Sequence, residues 1–334
     1  EFLKELSKTT KKYLIKPDMG ALGNGITFVE PGQPYTPNDQ MAVAQEYIDS
    51  YLINDTKFDL RVYALIASVS PLRIYVYHDG VARFCSEKNS VNSIYSQLTN
   101  TAVNRNNPNA KIESITKTIK DVFQTLEKNG IDTDLIWSKI ENAVILTILP
   151  CLNHINQGIS QKCQANGYNR CFQILGFDFI LDTDLNPLVL EVNYRPSLDA
   201  DIEAEKKLKS KMLGTAMHIG APLESLQKLI NNHEEISNFS KEKWNIFFSK
   251  MSQKYLLIDQ DIDTGLFNLV YPSKNSKNME TYNTVLSIVK RCPTKLTPRY
   301  KLPISLKRPD PSQLPKINPI VYDSNNIEID DSLK

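Results

Sequence analysis

With 334 residues, 41% of them hydrophobic and 23% charged, the chain is long enough to bury one large core or two ordinary ones. A formal net charge of +1 excludes a globally basic nucleic-acid binder, so attraction to an acidic partner has to be local. Apolar stretches of strand length predict no membrane span, and five scattered cysteines without CxxC spacing predict neither a disulfide framework nor a zinc site and suit a reducing compartment.

The chain starts at Glu1-Phe2 with no Met and no signal-peptide pattern, which reads as a fragment of a longer protein. A basic helical stretch comes first. A strand over 13–16 then ends on Lys16, and a loop with glycines at 20, 23 and 25 leads to a second strand over 26–30. Such a loop lets backbone N–H groups approach phosphate oxygens while the lysine supplies a point charge. A strand follows it rather than a helix, so the spacing is neither a P-loop nor a dinucleotide fingerprint, and a plain hairpin turn has the same composition.

Residues 57–86 are β-rich. Alternation sets Lys57, Asp59 and Arg61 on one face and Phe58, Leu60 and Val62 in the core. The charged face is either solvated or the floor of a phosphate site, with Arg61 offering a planar fork of donors. Residues 73–84 read as a hairpin turning at Asp79-Gly80, which returns Arg83 near Arg61. Two converging arginines are unfavourable unless an anion lies between them; otherwise Arg83 is an ordinary surface arginine. Residues 89–110, rich in Asn and Ser, read as a long loop. Helical periodicity dominates 111–160, with Ile115, Ile119, Val122, Phe123 and Leu126 on one stripe and Ile140, Val144 and Ile148 on another. His78 and His218 receive no role, and Tyr47, Phe177 and Phe179 read as core.

The run 172–193 reads as two apolar strands over a turn rich in Asp, Asn and Pro. Symmetry about Asp184-Leu185 sets Asp178 directly opposite Glu191, with Asn193 on the same face as Glu191. Opposed carboxylates repel unless a cation lies between them, and an all-oxygen set on strands suits Mg²⁺ carried with a nucleotide. A slip of one residue would turn Asp178 to the other face and leave an ordinary solvent-edge hairpin. Helices resume over 200–257, where Lys206, Lys207, Lys209 and Lys211 read as a solvated face able to meet an acidic polymer. Residues 291–334 hold seven of the 18 prolines and read as an extended basic tail.

Taken in order, these pieces resemble the tubulin tyrosine ligase-like family, amino-acid ligases with an ATP-grasp fold. The resemblance runs from about residue 11 to 290. It rests on Tyr13-Leu-Ile-Lys-Pro-Asp18, Gln45-Glu-Tyr-Ile48, Lys57-Phe-Asp-Leu-Arg-Val-Tyr63, Pro71-Leu-Arg-Ile-Tyr75 and Gly80-Val-Ala-Arg-Phe84. Leu98-Thr-Asn100, Leu175-Gly-Phe-Asp-Phe179, Leu190-Glu-Val-Asn193, Pro196-Ser197 and Val270-Tyr-Pro-Ser273 continue it. The wording is closer to the polyglutamylase branch than to the tyrosine ligase.

The resemblance implies an α+β, ATP-grasp-like fold of mixed or antiparallel sheets flanked by helices, with an extended C-terminal tail. Residues 1–48 would be the end of the central subdomain, 49–235 the C-terminal subdomain with the Mg·ATP site, 236–290 a helical extension and 291–334 the tail. Lys16 and Lys57 would hold nucleotide phosphates, and Gln45, Glu46, Tyr47 and Ile48 would form the adenine hinge. Asp59, Thr99 and Asn100 would line the nucleotide pocket. Arg61 and Arg83 would face the γ-phosphate and the incoming carboxylate, and Asp178, Glu191 and Asn193 would bind Mg²⁺. The implied reaction uses ATP to join glutamate to the acidic C-terminal tails of tubulin. It places the protein in the cytoplasm on the cytoskeleton, at the axoneme or basal body of a cilium or flagellum, with no nucleic-acid or membrane partner.

This chain departs from the family at Gln97, where His is common, at Asn24, where a basic residue is usual, at Thr101-Ala102 and at Tyr194-Arg195. The resemblance implies a further segment before Lys16 that completes the nucleotide site and that a fragment of this kind would leave out. These departures leave a competing reading, a weakly active or inactive relative that acts as a structural microtubule-binding component of a cilium or flagellum.

Overall fold

The computed structural model describes residues 8, 10–18, 23–36, 41–69, 71–162, 171–221, 240 and 262–291. Two antiparallel sheets face each other across a cavity. The smaller, in the order β2-β1-β3, contains β1 (Tyr13–Pro17), β2 (Thr27–Val29) and β3 (Ala42–Glu46). Along β1 the period of two sends Ile15 to a small core with Val29, while Leu14 and Lys16 face the cavity.

The larger sheet, in the order β10-β6-β5-β8-β9, is built on two long strands, β5 (Thr56–Val69) and β6 (Leu72–Phe84). β8 (Gln173–Leu181), β9 (Pro187–Asn193) and β10 (Phe267–Tyr271) extend it, and β4 (Leu52–Ile53) and β7 (Thr116–Thr118) pair with β5 and β6. Helices cover both faces. Phe58, Leu60 and Val62 form a core with α4 (Ile119–Lys128), α5 (Thr133–Ile148) and α8 (Ser276–Val289). Tyr63, Leu65 and Ala67 on the opposite face pack against α7 (Glu203–Gly220). Both predicted stripes, from Ile115 to Leu126 and from Ile140 to Ile148, are buried in the first core. The face under α7 also carries Lys57, Asp59 and Arg61, just beyond the helix's reach.

Several sequence expectations are corrected. Asp79-Gly80 is not a turn: β6 is continuous, and Val69 pairs with Leu72 where the chain reverses. The register shifts from Val62↔Gly80 to Ala64↔Val76, so Asp79 lies in a bulge that Gly80 borders. There the Asp79 carboxylate accepts from the backbone N–H groups of Gly80 at 2.8 Å and Lys120 at 3.1 Å, holding the start of α4 against the sheet. A Cβ at Gly80 would stand 2.2 Å from the Arg61 carbonyl oxygen, so only glycine fits this close approach.

Residues 89–110 are not a structureless loop. They form a 3₁₀ turn (Asn89–Val91), α1 (Ile94–Gln97) and α2 (Thr101–Asn104), and the Asn-rich composition serves side-chain-to-backbone bonds. Asn104 donates to the carbonyls of Leu98 at 2.7 Å and Asn100 at 3.1 Å. Beyond it, α3 (Ile112–Ile115) precedes β7, a strand inside the stretch read as helical. The helical run over 133–159, from α5 through a 3₁₀ turn into α6 (Leu152–Lys162), is long and apolar enough by composition to cross a membrane. The expectation that every apolar stretch has strand length is therefore wrong. Half of its most apolar 18-residue stretch is buried against the protein, as in a core helix. The opening helical stretch before residue 8, much of 200–257 and the tail after Arg291 lie outside the described residues.

Candidate functional site

The hairpin of β8 and β9 shows how local irregularity builds the site. Asp178 pairs with Glu191, Phe177 with Val192 and Gly176 with Asn193, the register expected from symmetry about Asp184-Leu185. Nearer the turn the register differs: Phe179 pairs with Val189 and Leu181 with Pro187. Leu190 is the extra residue between the two registers. In a regular strand Leu190 and Glu191 would point to opposite faces, but across this bulge both line the cavity. The expected pairing is therefore present at the acidic end, though the hairpin is not symmetric throughout.

The cavity measures about 300 Å³. The small sheet and its following segment contribute Leu14, Lys16, Gln45, Glu46, Tyr47 and Ile48. The large sheet contributes Lys57, Asp59, Arg83, Asp178, Ile180, Leu190 and Glu191. Gln97, Leu98, Thr99 and Asn100 close a third side. Gly23, with φ of 84°, touches that third side: a Cβ there would lie 2.8 Å from Val103 and 3.2 Å from Asn100. Gly20 lies outside the described residues. Of the fourteen residues singled out by sequence for this site, twelve line the cavity, and Arg61 and Asn193 stand just behind the lining rather than in it. Arg61 grips Asp178, and Asn193 Nδ2 donates to Glu191 Oε1 at 3.1 Å.

The charged floor is a closed network. Arg83 donates Nε and Nη2 to the two oxygens of Asp59, both at 2.7 Å, across the Asp59↔Arg83 register pair. Arg61, paired with Asp178 across β5 and β8, donates Nε to Oδ1 and Nη2 to Oδ2, the latter at 2.9 Å. Arg83 Nη2 also lies 2.9 Å from Asp178 Oδ2, and Thr99 Oγ1 donates to Asp59 Oδ2 at 2.5 Å. The anion expected between the two arginines is thus supplied, in part, by the protein's own Asp59 and Asp178. Burial alone would raise the Asp178 pKa, but the Arg61 hydrogen bond and the two guanidinium charges outweigh it and hold the carboxyl below its ordinary range. The Arg83 guanidinium is likewise held firmly protonated: Asp59 and Asp178 overcome the burial that opposes its charge.

Two lysines stand beside that floor, Lys57 on the same strand face as Asp59 and Arg61 and Lys16 on the small sheet. Lys57 Nζ donates to the Tyr47 hydroxyl at 2.8 Å and stands 4.0 Å above the Tyr47 ring centroid. Lys12 approaches the same ring at 5.1 Å, so Tyr47 is a half-buried wall between two lysines and not the core residue read from sequence. Burial lowers Lys57 to about 8, against smaller upward pulls from Cys85 and Asp59. Burial also lowers Lys16, partly offset by the charge of Glu191. The Cys85 thiol, buried beside Lys57, is pushed up to about 12 by burial.

Among the described residues, no group of three or more His, Cys, Asp and Glu could hold a metal ion. The candidate set consists of two carboxylates and one carboxamide, Asp178, Glu191 and Asn193, and offers oxygen only. Such donors suit a hard divalent cation accompanied by an anionic ligand. With Lys16, Lys57 and Arg83 around it, the arrangement can neutralise and orient a polyphosphate. The apolar cavity residues Leu14, Ile26, Leu98, Ile180 and Leu190 were missed in the sequence. Leu14, Leu98 and Leu190 lie inside motifs singled out above, but only the bulge and the fold aim them inward. Of the lysines on α7, Lys206, Lys207 and Lys211 are exposed as expected, whereas Lys209 is buried against Glu205.

Comparison with known proteins adds a family context. The tubulin-tyrosine ligase family pattern matches residues 1–253. The chain is similar to tubulin polyglutamylase TTLL6 of Homo sapiens, 31% identical over 299 residues covering 83% of this chain and 33% of the relative. It is also similar to tubulin polyglutamylase ttll-11 of Caenorhabditis elegans, 37% identical over 213 residues covering 59% and 30%. Tubulin polyglutamylase TTLL7 of Xenopus tropicalis is 33% identical over 236 residues covering 65% and 26%. The aligned chain spans from 21% to 36% of the length of the curated relatives it matches.

Proposed function

Because the chain belongs to the tubulin-tyrosine ligase family, we propose that it forms the core of an ATP-dependent ligase that adds glutamate to the acidic C-terminal tails of tubulin. One observation carries the reading: Lys16, Lys57 and Arg83 converge in a single cavity on the opposed pair Asp178 and Glu191. That is the donor pattern of a site for a polyphosphate with a divalent cation. The mixed apolar and polar slot between Tyr47-Ile48 and Ile180-Leu190 suits a planar base.

The donor set fits Mg²⁺. Asp178 and Glu191 would hold it together with the Asn193 amide, which already hydrogen-bonds Glu191. Mg²⁺, when bound, supplies charge neutralisation at the phosphate oxygens. Lys16 and Lys57 bind the phosphates, and their lowered proton affinity is restored by the anion. Arg83, which lines the cavity, would turn the rest of its guanidinium to the transferring phosphoryl group and to the carboxylate that receives it, while Arg61 holds Asp178 from behind. ATP phosphorylates a carboxylate of the tail, the amine of glutamate attacks the acyl phosphate, an amide forms, and ADP and phosphate leave. The buried Asp59–Arg83 and Asp178–Arg61 pairs hold these donors in place beforehand.

A tubulin substrate puts the protein in the cytoplasm on the cytoskeleton, with the axoneme or basal body of a cilium or flagellum as its proposed location. The intact charged set favours an active ligase over a purely structural relative. The test uses the full-length protein: calorimetric ATP binding with and without Mg²⁺, and glutamate incorporation into tubulin-tail peptides. Mg²⁺-dependent binding and incorporation, both lost in Glu191→Gln, are expected. No ATP binding, or no effect of Glu191→Gln, would overturn the reading.

A further inference from the structure

The site as described leaves four charged side chains unused just outside its walls. Lys209 and Glu205 lie one turn apart on α7, with Nζ 2.7 Å from Oε1 and both side chains only 9% exposed. A buried ion pair gains little net stability over a well-packed apolar pair of the same volume, so its presence directs attention to what it holds. Both members reach the loop that follows Asn193. Lys209 Nζ donates to the Asp199 carbonyl, and Glu205 Oε2 accepts from the Asp201 backbone N–H at 2.9 Å.

The Asp201 carboxylate in turn pairs with the guanidinium of Arg105, the residue that ends α2. Arg105 directly follows Asn104, whose fully buried amide holds the Leu98 and Asn100 carbonyls. Leu98, Thr99 and Asn100 line the cavity, and Thr99 bonds Asp59. A chain of polar contacts, joined by the backbone at Asn104-Arg105 and Leu98-Thr99, therefore runs from α7 to the acidic floor. We propose that Lys209, Glu205, Asp201 and Arg105 form a strap that fixes two cavity walls, Glu191 to Asn193 and Leu98 to Asn100, relative to each other.

The proposal rests on the ligase reading above and adds positioning residues to it. None of the four lines the cavity. The buried pair on α7 is the anchor. Arg105–Asp201, with side chains 47% and 27% exposed, is the clasp. A half-exposed pair adds little to global stability, so opening the clasp leaves the fold standing while the two walls lose their common reference. In a site that aligns a phosphoryl donor with its acceptor, a shift on the order of 1 Å costs about a hundredfold in rate.

Lys209→Met would leave Glu205 as an uncompensated buried charge and mix folding with function, so the clasp is the place to test. Full-length Arg105→Asp, Asp201→Arg and the double exchange are compared with the parent by kcat and KM for ligation, thermal midpoint and amide exchange. Each single variant is expected to lose about tenfold or more in kcat, with the KM for ATP changed far less and the midpoint nearly constant. Amides of 197–201 and 98–104 should exchange faster. The double exchange should restore both readouts. Singles that behave like the parent, or a double variant no better than the singles, overturn the strap. If the parent itself shows no ligation, the ligase reading fails, and amide exchange alone decides whether the strap exists.

Discussion

The two sheets that enclose the cavity differ in how firmly they are built. Among the described residues, the small sheet buries only Ile15 and Val29 as apolar core, and Met41 and Val43 at its β3 edge are exposed. The large sheet is packed on both faces, with Leu60, Val62, Tyr63, Ala64, Leu65 and Ala67 at 0% exposure along a single strand. The division follows the chemistry. Groups whose mutual geometry has to be fixed beforehand, Asp59, Arg61, Arg83 and Asp178, stand on the rigid sheet. Groups that would close on a ligand under the proposed function, Lys16, Gly23 and the segment from Gln45 to Ile48, belong to the lightly packed side of the cavity.

The largest expected effect strikes the rigid side. Asp178→Ala deprives Arg61 and Arg83 of a shared partner and leaves guanidinium charge buried without compensation. It should cost about 3–5 kcal/mol in a denaturant titration of the free protein. A loss below about 1 kcal/mol would mean that solvent already screens this network, and the contrast between the sheets would lose its electrostatic basis.

Apolar truncation probes the same contrast. Leu60→Ala should cost about 2–5 kcal/mol and shift global unfolding, because both neighbouring layers resist collapse around the void. Ile15→Ala should fall at the low end of that range or below it, since few neighbours surround Ile15, and should loosen β1 to β3 locally. Hydrogen exchange resolves the two patterns. Equal and global effects would show that the small sheet is not the softer partner.

The two lysines divide the electrostatics in the same way. Lys57, on the rigid sheet, titrates near 8 instead of its ordinary 10.5. Between those values the unfolded chain binds more protons than the folded one, so the stability contribution of Lys57 rises with pH across this window, and its penalty is complete below about 8. A polyphosphate ligand favours the ammonium form. Binding at pH 8–9 should therefore take up protons and weaken as pH climbs above 8. Calorimetry in buffers of different ionisation enthalpy measures the uptake, and Lys57→Met should abolish most of it. Lys16, also lowered by burial but nearer Glu191, should contribute less. Unchanged uptake in Lys57→Met would place the titrating group elsewhere.

What the sequence disclosed, and what it hid, follows from the range of the forces involved. The period of two along Lys57 to Arg61 and the helical stripes from Ile115 to Ile148 are local patterns, so they are legible without the fold. The opposition of Asp178 and Glu191 was legible too, yet the bulge at Leu190 was not, because an extra residue leaves no composition mark in an apolar strand. Asp79-Gly80 has the chemistry of a turn and was read as one, although tertiary contact with the start of α4 uses the pair inside a strand. Lys209 looks like its exposed neighbours until Glu205 and the Asp199 carbonyl are placed around it. Charge partners distant in sequence are the part that pattern alone does not supply.

The smallest effect is the finest probe of the rigid sheet. Tyr63 is fully buried on β5, two residues from Arg61, and among the described residues its hydroxyl has no hydrogen-bond partner. Burial raises its pKa and keeps the phenol neutral, so the group costs desolvation without an ionic return. Tyr63→Phe keeps the ring that packs against Leu208 and Met212 and removes only the oxygen. It should stabilise the free protein by up to about 1 kcal/mol, measured as a shift in the denaturation midpoint at constant slope. A destabilisation of that size would instead show that the hydroxyl is partnered in solution, and that the floor beside Arg61 is wetter and less rigid than its packing implies.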